Sequence, residues 1–125
     1  MEYILNVPTT GEDGAATGTA ETDLPVWGAI WEIVVDYHAS APNTTTVDVD
    51  EVGGAARKIL DLAAANTDAA YRPRHVPHGT TGTAGSSATE PILVQGRKLK
   101  ATVDLSDALT NCVTVYIYTL DTGKS

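Results

Sequence analysis

An all-β fold, an antiparallel β-sandwich or jelly-roll-like arrangement of about eight short strands, is the architecture this 125-residue chain predicts. Three observations lead there. The apolar set is Val, Ile, Leu and Ala with no Phe and one Met, and Val, Ile, Thr, Tyr and Trp favour pleated, half-buried surfaces. Several segments alternate apolar and polar residues at period two. Turn signals separate them at short intervals, as in sandwiches and jelly rolls.

Glu2–Val7 reads as the first strand. Pro8–Ala16, rich in Gly, Thr and acids, reads as a turn or loop, and Gly18–Thr22 as a weak strand. Residues 1–25 together are expected as a partly extended N-terminal arm. The clearest element is Val26–His38, where Trp27, Ala29, Trp31, Ile33, Val35 and Tyr37 share one face at strict alternation. That face is expected to enter the core, with Trp27, near the strand start, the one also suited to anchor an interface. Ser40–Asn43 is a turn. Thr44–Glu51 follows with Val47 and Val49 on one side and Thr46, Asp48 and Asp50 on the other.

Gly53-Gly54 breaks that strand. The Ala/Leu content of Ala55–Ala65 favours a helix, but Lys58–Leu62 serves equally as a strand with Leu60 and Leu62 inward, and the strand is preferred. Ala69–Val76 is a strand whose Pro73 must lie at an edge or bulge, because proline donates no ladder hydrogen bond. Residues 78–91 are nearly all Gly, Thr, Ala and Ser and read as a flexible loop. Ile92–Val94, a turn at Gln95-Gly96, and Lys98–Leu105 come next, the last with Leu99, Ala101, Val103 and Leu105 inward. Cys112–Leu120 closes the fold, with Val113, Val115 and Ile117 opposite Tyr116 and Tyr118. The whole is read as one domain, 1–125.

Charge is distributed unevenly. The net charge is -8, and residues 1–51 hold ten acids and no Lys or Arg, whereas residues 52–125 hold all eight bases and six acids. Such a chain is a poor nucleic-acid binder, since phosphate contacts need clustered Lys and Arg. Complementary acidic and basic regions instead steer protein subunits together. No apolar run approaches the length of a membrane helix, and no basic leader opens the chain, so a soluble protein made in a cytoplasm is expected. The lone Cys112 reads as a buried small hydrophobe.

Signals for catalysis are weak. His75-Val76-Pro77-His78 has a two-residue spacing between imidazoles, and His38 is a third, but Pro77 bars the regular helix that aligns such ligands for zinc. Asp48, Asp50 and Glu51 lack the glycine-bearing loop of a calcium-binding hand. No nucleophile, phosphate-loop or dinucleotide motif is present. The expectation is no enzyme, no metal and no cofactor. Candidate partner-binding residues are Arg72 and Arg74, suited to paired contacts with carboxylates, and the acids Asp48, Asp50, Glu12 and Asp13.

The runs Asp36–Thr45, Ala65–Arg74 (with its Asn66-Thr67-Asp68 turn leading to Tyr71-Arg72-Pro73-Arg74) and Val113–Tyr118 resemble segments of small structural proteins encoded among tailed-bacteriophage head genes. The resemblance covers roughly residues 30–120. It implies a β-rich virion protein of the capsid decoration (cement) type, seated on the outside of the shell. It further implies a homotrimer bound to the major capsid protein, and it brings no catalytic residue. Two other functions fit the residues: a neck or tail virion component, and a carbohydrate-binding β-sandwich, which needs exposed Trp or Tyr in a planar row.

Overall fold

Two antiparallel sheets, each with apolar side chains turned toward the other, account for nearly all of the alternation in the sequence. The computed structural model describes residues 1–76, 82 and 89–120. Among these there are eleven strands and no helix. They are β1 (Glu2–Val7), β2 (Ala16–Glu21), β3 (Val26–Tyr37), β4 (Thr46–Glu51), β5 (Lys58–Leu62), β6 (Ala69–Tyr71), β7 (Arg74–His75), β8 (Glu90–Pro91), β9 (Leu93–Arg97), β10 (Leu99–Ser106) and β11 (Val113–Leu120).

The larger sheet runs β1-β11-β3-β6, with β9 also paired to β3. The smaller runs β2-β10-β4-β5, and β7 and β8 form a separate short ribbon. Every pairing is antiparallel. The core lies between the sheets. Leu5, Val7, Val26, Ile30, Ile33, Val35, Val94, Val113, Val115 and Ile117 face it from the larger sheet. Val47, Val49, Leu99, Ala101 and Val103 face it from the smaller. Each fully buried Val, Ile or Leu stabilises the fold by about 1.5–3 kcal/mol relative to exposure.

The sandwich-like all-β class is therefore as expected, as are the inward positions of β4 and β11 and the strand over Lys58–Leu62, where Leu60 and Leu62 pack partly buried against the core. Other expectations need correction. Residues 1–25 are not an extended arm. Their β1 pairs along its whole length with β11, and β2 pairs with β10. Ala69–Val76 is not continuous, because Arg72 and Pro73 separate β6 from β7. Gln95-Gly96 is no turn. It lies inside β9, where Gly96 (φ 76°) is the extra residue between the pairs Val26–Arg97 and Trp27–Gln95. Most of the expected loop at 78–91 lies outside the described residues; its last two residues form β8.

The largest correction concerns β3. Glu32 pairs with Tyr118 and Ile30 with Thr119, so Trp31 has no opposite residue in β11. This bulge switches the side-chain parity. Before it, Val26, Gly28 and Ile30 point inward; after it, Ile33, Val35 and Tyr37 do. Trp27 and Trp31, expected in the core, are consequently 62% and 44% exposed. Leu105 is corrected for a related reason. The register of β10 against β2 shifts between Val103 and Ser106, Leu105 adopts φ 54°, and its side chain turns outward. Ser106 takes the inward place, with its hydroxyl 2.9 Å from Thr45 Oγ1 and 3.0 Å from Cys112 Sγ. Cys112 is buried, as expected.

Candidate functional site: an aromatic sheet face and an adjoining arginine cleft

The outer face of the larger sheet is built by cross-strand register. Ile4 pairs with Tyr116, Tyr116 with Val34, and Val34 with Ala70, giving one apolar row across four strands. The next row joins Glu2, Tyr118 and Glu32. Beyond the bulge, Ala29 lies between Leu120 and Leu93, and Trp27 is opposite Gln95. Ile4, Trp27, Trp31, Leu93 and Leu120 are each at least 40% exposed. Five of the eight exposed large apolar side chains among the described residues thus share one face. The Glu2–Tyr118–Glu32 row sets Ile4 apart, while Trp27, Trp31, Leu93 and Leu120 gather at the other end, and clustered exposed apolar side chains mark interaction sites.

Arg72 frames this face. Its guanidinium lies 4.8 Å from the Trp31 ring centroid, a cation–π contact, and its Nε is 3.4 Å from Glu32 Oε1. The bulge makes both contacts feasible by turning Trp31 and Glu32 outward together. Arg74 instead donates from Nε to Thr89 Oγ1 and from Nη2 to the Thr89 carbonyl.

The acidic candidates lie elsewhere. Asp48 and Asp50 project from β4 in the smaller sheet and share Lys58, at 3.8 and 3.2 Å. Partial burial, followed by a hydrogen bond with Asp61, raises the Asp48 pKa against the opposing pull of Lys58. Lys58 is itself raised, chiefly by its hydrogen bond to Asp50. Glu12 and Asp13 are exposed in the turn between β1 and β2, where the Ala15 amide donates to the Glu12 carbonyl. The six expected residues therefore do not form one site: Arg72 borders the aromatic face, and Asp48 and Asp50 belong to the other sheet.

A cleft of about 660 Å³ beside that face gathers Arg57, Glu90 and Arg97, which sequence reasoning missed, with Glu51 and His75, which it weighed only as metal ligands. It is lined by Ala29, Leu93, Gln95, Arg57, Arg97 and His75, together with Glu51, Glu90 and Pro91. Glu51 follows Val47 and Val49 in the inward alternation of β4, so its carboxylate is nearly buried, and Arg57 Nη2 meets its Oε2 at 2.8 Å. The same Nη2 donates to the Leu93 carbonyl. His75 Nε2 is 3.2 Å from Glu90 Oε1 across the β7–β8 ribbon. Arg97 makes no ion pair among the described residues. The one legible signal was the inward parity of Glu51, which demands a cation nearby.

His38 is occupied locally, its Nδ1 accepting from the Ser40 amide at 2.9 Å, and His78 lies outside the described residues. No group of three metal-ligating side chains comes together among the described residues. No helix among them is long and apolar enough to cross a membrane. No protein-family model matches the chain, and no curated protein matches it.

Proposed function

We propose that this chain is a structural binding protein that attaches to a larger protein surface through the outer face of its β1-β11-β3-β6 sheet. The role that best joins this face to the sequence resemblance is decoration of the outside of a bacteriophage capsid, as a homotrimer on the major capsid protein. The observation that carries the reading is the bulge at Trp31, which turns two tryptophans out of the core and onto the same outer face as Leu93 and Leu120. Solvent-exposed indoles cost apolar hydration in the free protein, and burial against a partner recovers it. Trp and Arg are also the side chains that most often dominate interface energetics. Many copies on a repeating lattice would convert modest single contacts into durable attachment.

The test is cosedimentation with isolated tailed-phage heads stripped of their own decoration protein, comparing the native chain with Trp27→Ala/Trp31→Ala. The expected result is saturable binding by the native chain, loss of binding by the variant, and a trimeric mass by light scattering. Equal binding by the variant would remove the sheet face from the reading.

Trp27 and Trp31 also supply exposed indoles, one part of what the carbohydrate-binding alternative needs, because sugars stack on such rings. Titration of Trp fluorescence with a glycan panel separates the two. Saturable glycan quenching without attachment to heads selects the carbohydrate reading.

A further inference from the structure

We propose that the cleft beside Trp27 is a receptor for a single carboxylate side chain, an Asp or Glu carried on an apolar segment of the partner protein. The inference rests on the binding reading above and names the chemistry its partner must present.

The cations in the cleft are fixed from behind and open in front. Arg57 spends one nitrogen, Nη2, on both Glu51 and the Leu93 carbonyl. Its Nε and Nη1 have no partner among the described residues, and its side chain is 42% exposed. The Arg97 guanidinium lies flat against the turn after β4. A Cβ on Gly54 (φ 57°) would sit 2.5 Å from its Cζ, so only glycine leaves this place open. Two planar donor groups held this way are suited to a carboxylate, which accepts paired N–H donors in one plane.

Pairing within the lining leaves one guanidinium without a direct partner. Glu51 is held by Arg57 at 2.8 Å and Glu90 lies against His75, whereas Arg97 makes no ion pair among the described residues and is the group left to receive a carboxylate. A polyanion is disfavoured, because a chain of net charge -8 repels it at longer range.

The apolar context follows from the lining. Ala29, Leu93 and Gln95 belong to the same outer face as Trp27, and Trp27 lies over Gly96, where a Cβ would come within 2.6 Å of its ring. The indole therefore rests over the residue that precedes Arg97 and opposite Gln95, which lines the cleft. An acid flanked by aliphatic residues would seat its carboxylate on the arginines and its neighbours on Trp27 and Leu93.

The test is an NMR titration of the full chain with acetyl-Leu-Glu-Leu-amide, with the Gln counterpart, and with an oligogalacturonate. Variants are Arg97→Gln, which removes the charge, and Gly54→Ala, which displaces the guanidinium but keeps it. The expected result is saturable shifts at Arg97, Gly54, Gly96 and the Trp27 indole with the Glu peptide. Affinity should fall about tenfold for the Gln peptide and for Arg97→Gln, the value of one charge-assisted pair. Unchanged resonances elsewhere in Arg97→Gln establish that the variant is folded. No shift with the Glu peptide, equal shifts with both peptides, or shifts that survive Arg97→Gln would overturn the proposal. Shifts with the oligogalacturonate alone would overturn the peptide occupant in favour of an acidic sugar. Heads that still bind Arg97→Gln fully, yet lose Trp27→Ala/Trp31→Ala, would sink the cleft and leave the sheet-face reading standing.

Discussion

Leu99 and Leu105 occupy one strand, share one residue type, and sit at the same parity in the sequence, yet the fold treats them oppositely. Leu99 is fully buried, and Leu105 is 52% exposed with φ 54°. Truncating Leu99 to Ala opens a cavity between the sheets and is expected to cost about 2–5 kcal/mol. For Leu105→Gly three smaller terms compete. Losing half of a leucine's burial costs about 1 kcal/mol. The flexibility of glycine in the unfolded chain costs about 0.5–1 kcal/mol. Relief of the left-handed backbone returns about 1–2 kcal/mol. The net change is expected to lie within about 1 kcal/mol of zero. Urea unfolding of the two variants measures the difference. At one common slope of about 1–3 kcal/mol per molar, Leu99→Ala should lower the midpoint by about 0.7 M or more, and at least twice as far as Leu105→Gly moves it. A loss of about 2 kcal/mol or more in Leu105→Gly would place that side chain in the core. It would refute both the register shift in β10 and the inward role of Ser106.

Four further outcomes are expected. The Tyr37 hydroxyl is buried and has no hydrogen-bond partner among the described residues, so Tyr37→Phe should raise stability at neutral pH by about 1 kcal/mol in denaturant unfolding. Burial, and then the neighbouring Tyr71, Asp68 and Cys112, push the Tyr37 pKa up to about 12 from 10.0. Between those values the unfolded chain loses the proton first, so native stability falls as pH rises through this window, and Tyr37→Phe should flatten the fall. Asp48 is also raised, from 3.8, so its ionisation disfavours the native state as pH climbs from 3.8 through the raised value. Asp48→Asn should therefore gain most, relative to the native chain, in unfolding curves above that window. Cys112 should react with a thiol reagent only as fast as the fold opens, and labelling of the native state at a rate independent of denaturant would contradict its burial.

Alternation was readable wherever a strand runs without interruption. Val47 and Val49, or Val113, Val115 and Ile117, gave their faces away because period two is a geometric consequence of the pleat. The bulges broke that inference. Nothing in Ile30-Trp31-Glu32 announces that one residue will go unpaired, and size and parity alone point the two largest apolar side chains into the core. Gly96 signalled irregularity, but glycine marks a bulge and a turn alike. The cleft was the least legible part. Arg57, His75, Glu90 and Arg97 are separated by long stretches of chain, and only the pairing of β9 with β3 and the placement of the β7–β8 ribbon gather them. The acid–base asymmetry of the two halves was real as composition. Part of it is matched within the chain, where Arg72 meets Glu32, Arg57 meets Glu51 and Lys58 reaches Asp48 and Asp50.

The pairing of β1 with β11 ties the beginning of the fold to its last strand, with Thr119 also donating to the Met1 carbonyl. On a ribosome, Leu5 and Val7 would emerge long before residues 113–120, the strand they pair with. Through most of synthesis the central strand β3 would likewise lack one of its two neighbours, leaving Val35 and Ile33 with an unpaired backbone edge beside them. Sheets of such high sequence separation close slowly and are exposed to mispairing while they wait. A short stall before the final strand should thus leave a nascent chain that binds holdase chaperones, and a permuted gene that begins at β11 and runs directly into β1 should shorten that vulnerable interval.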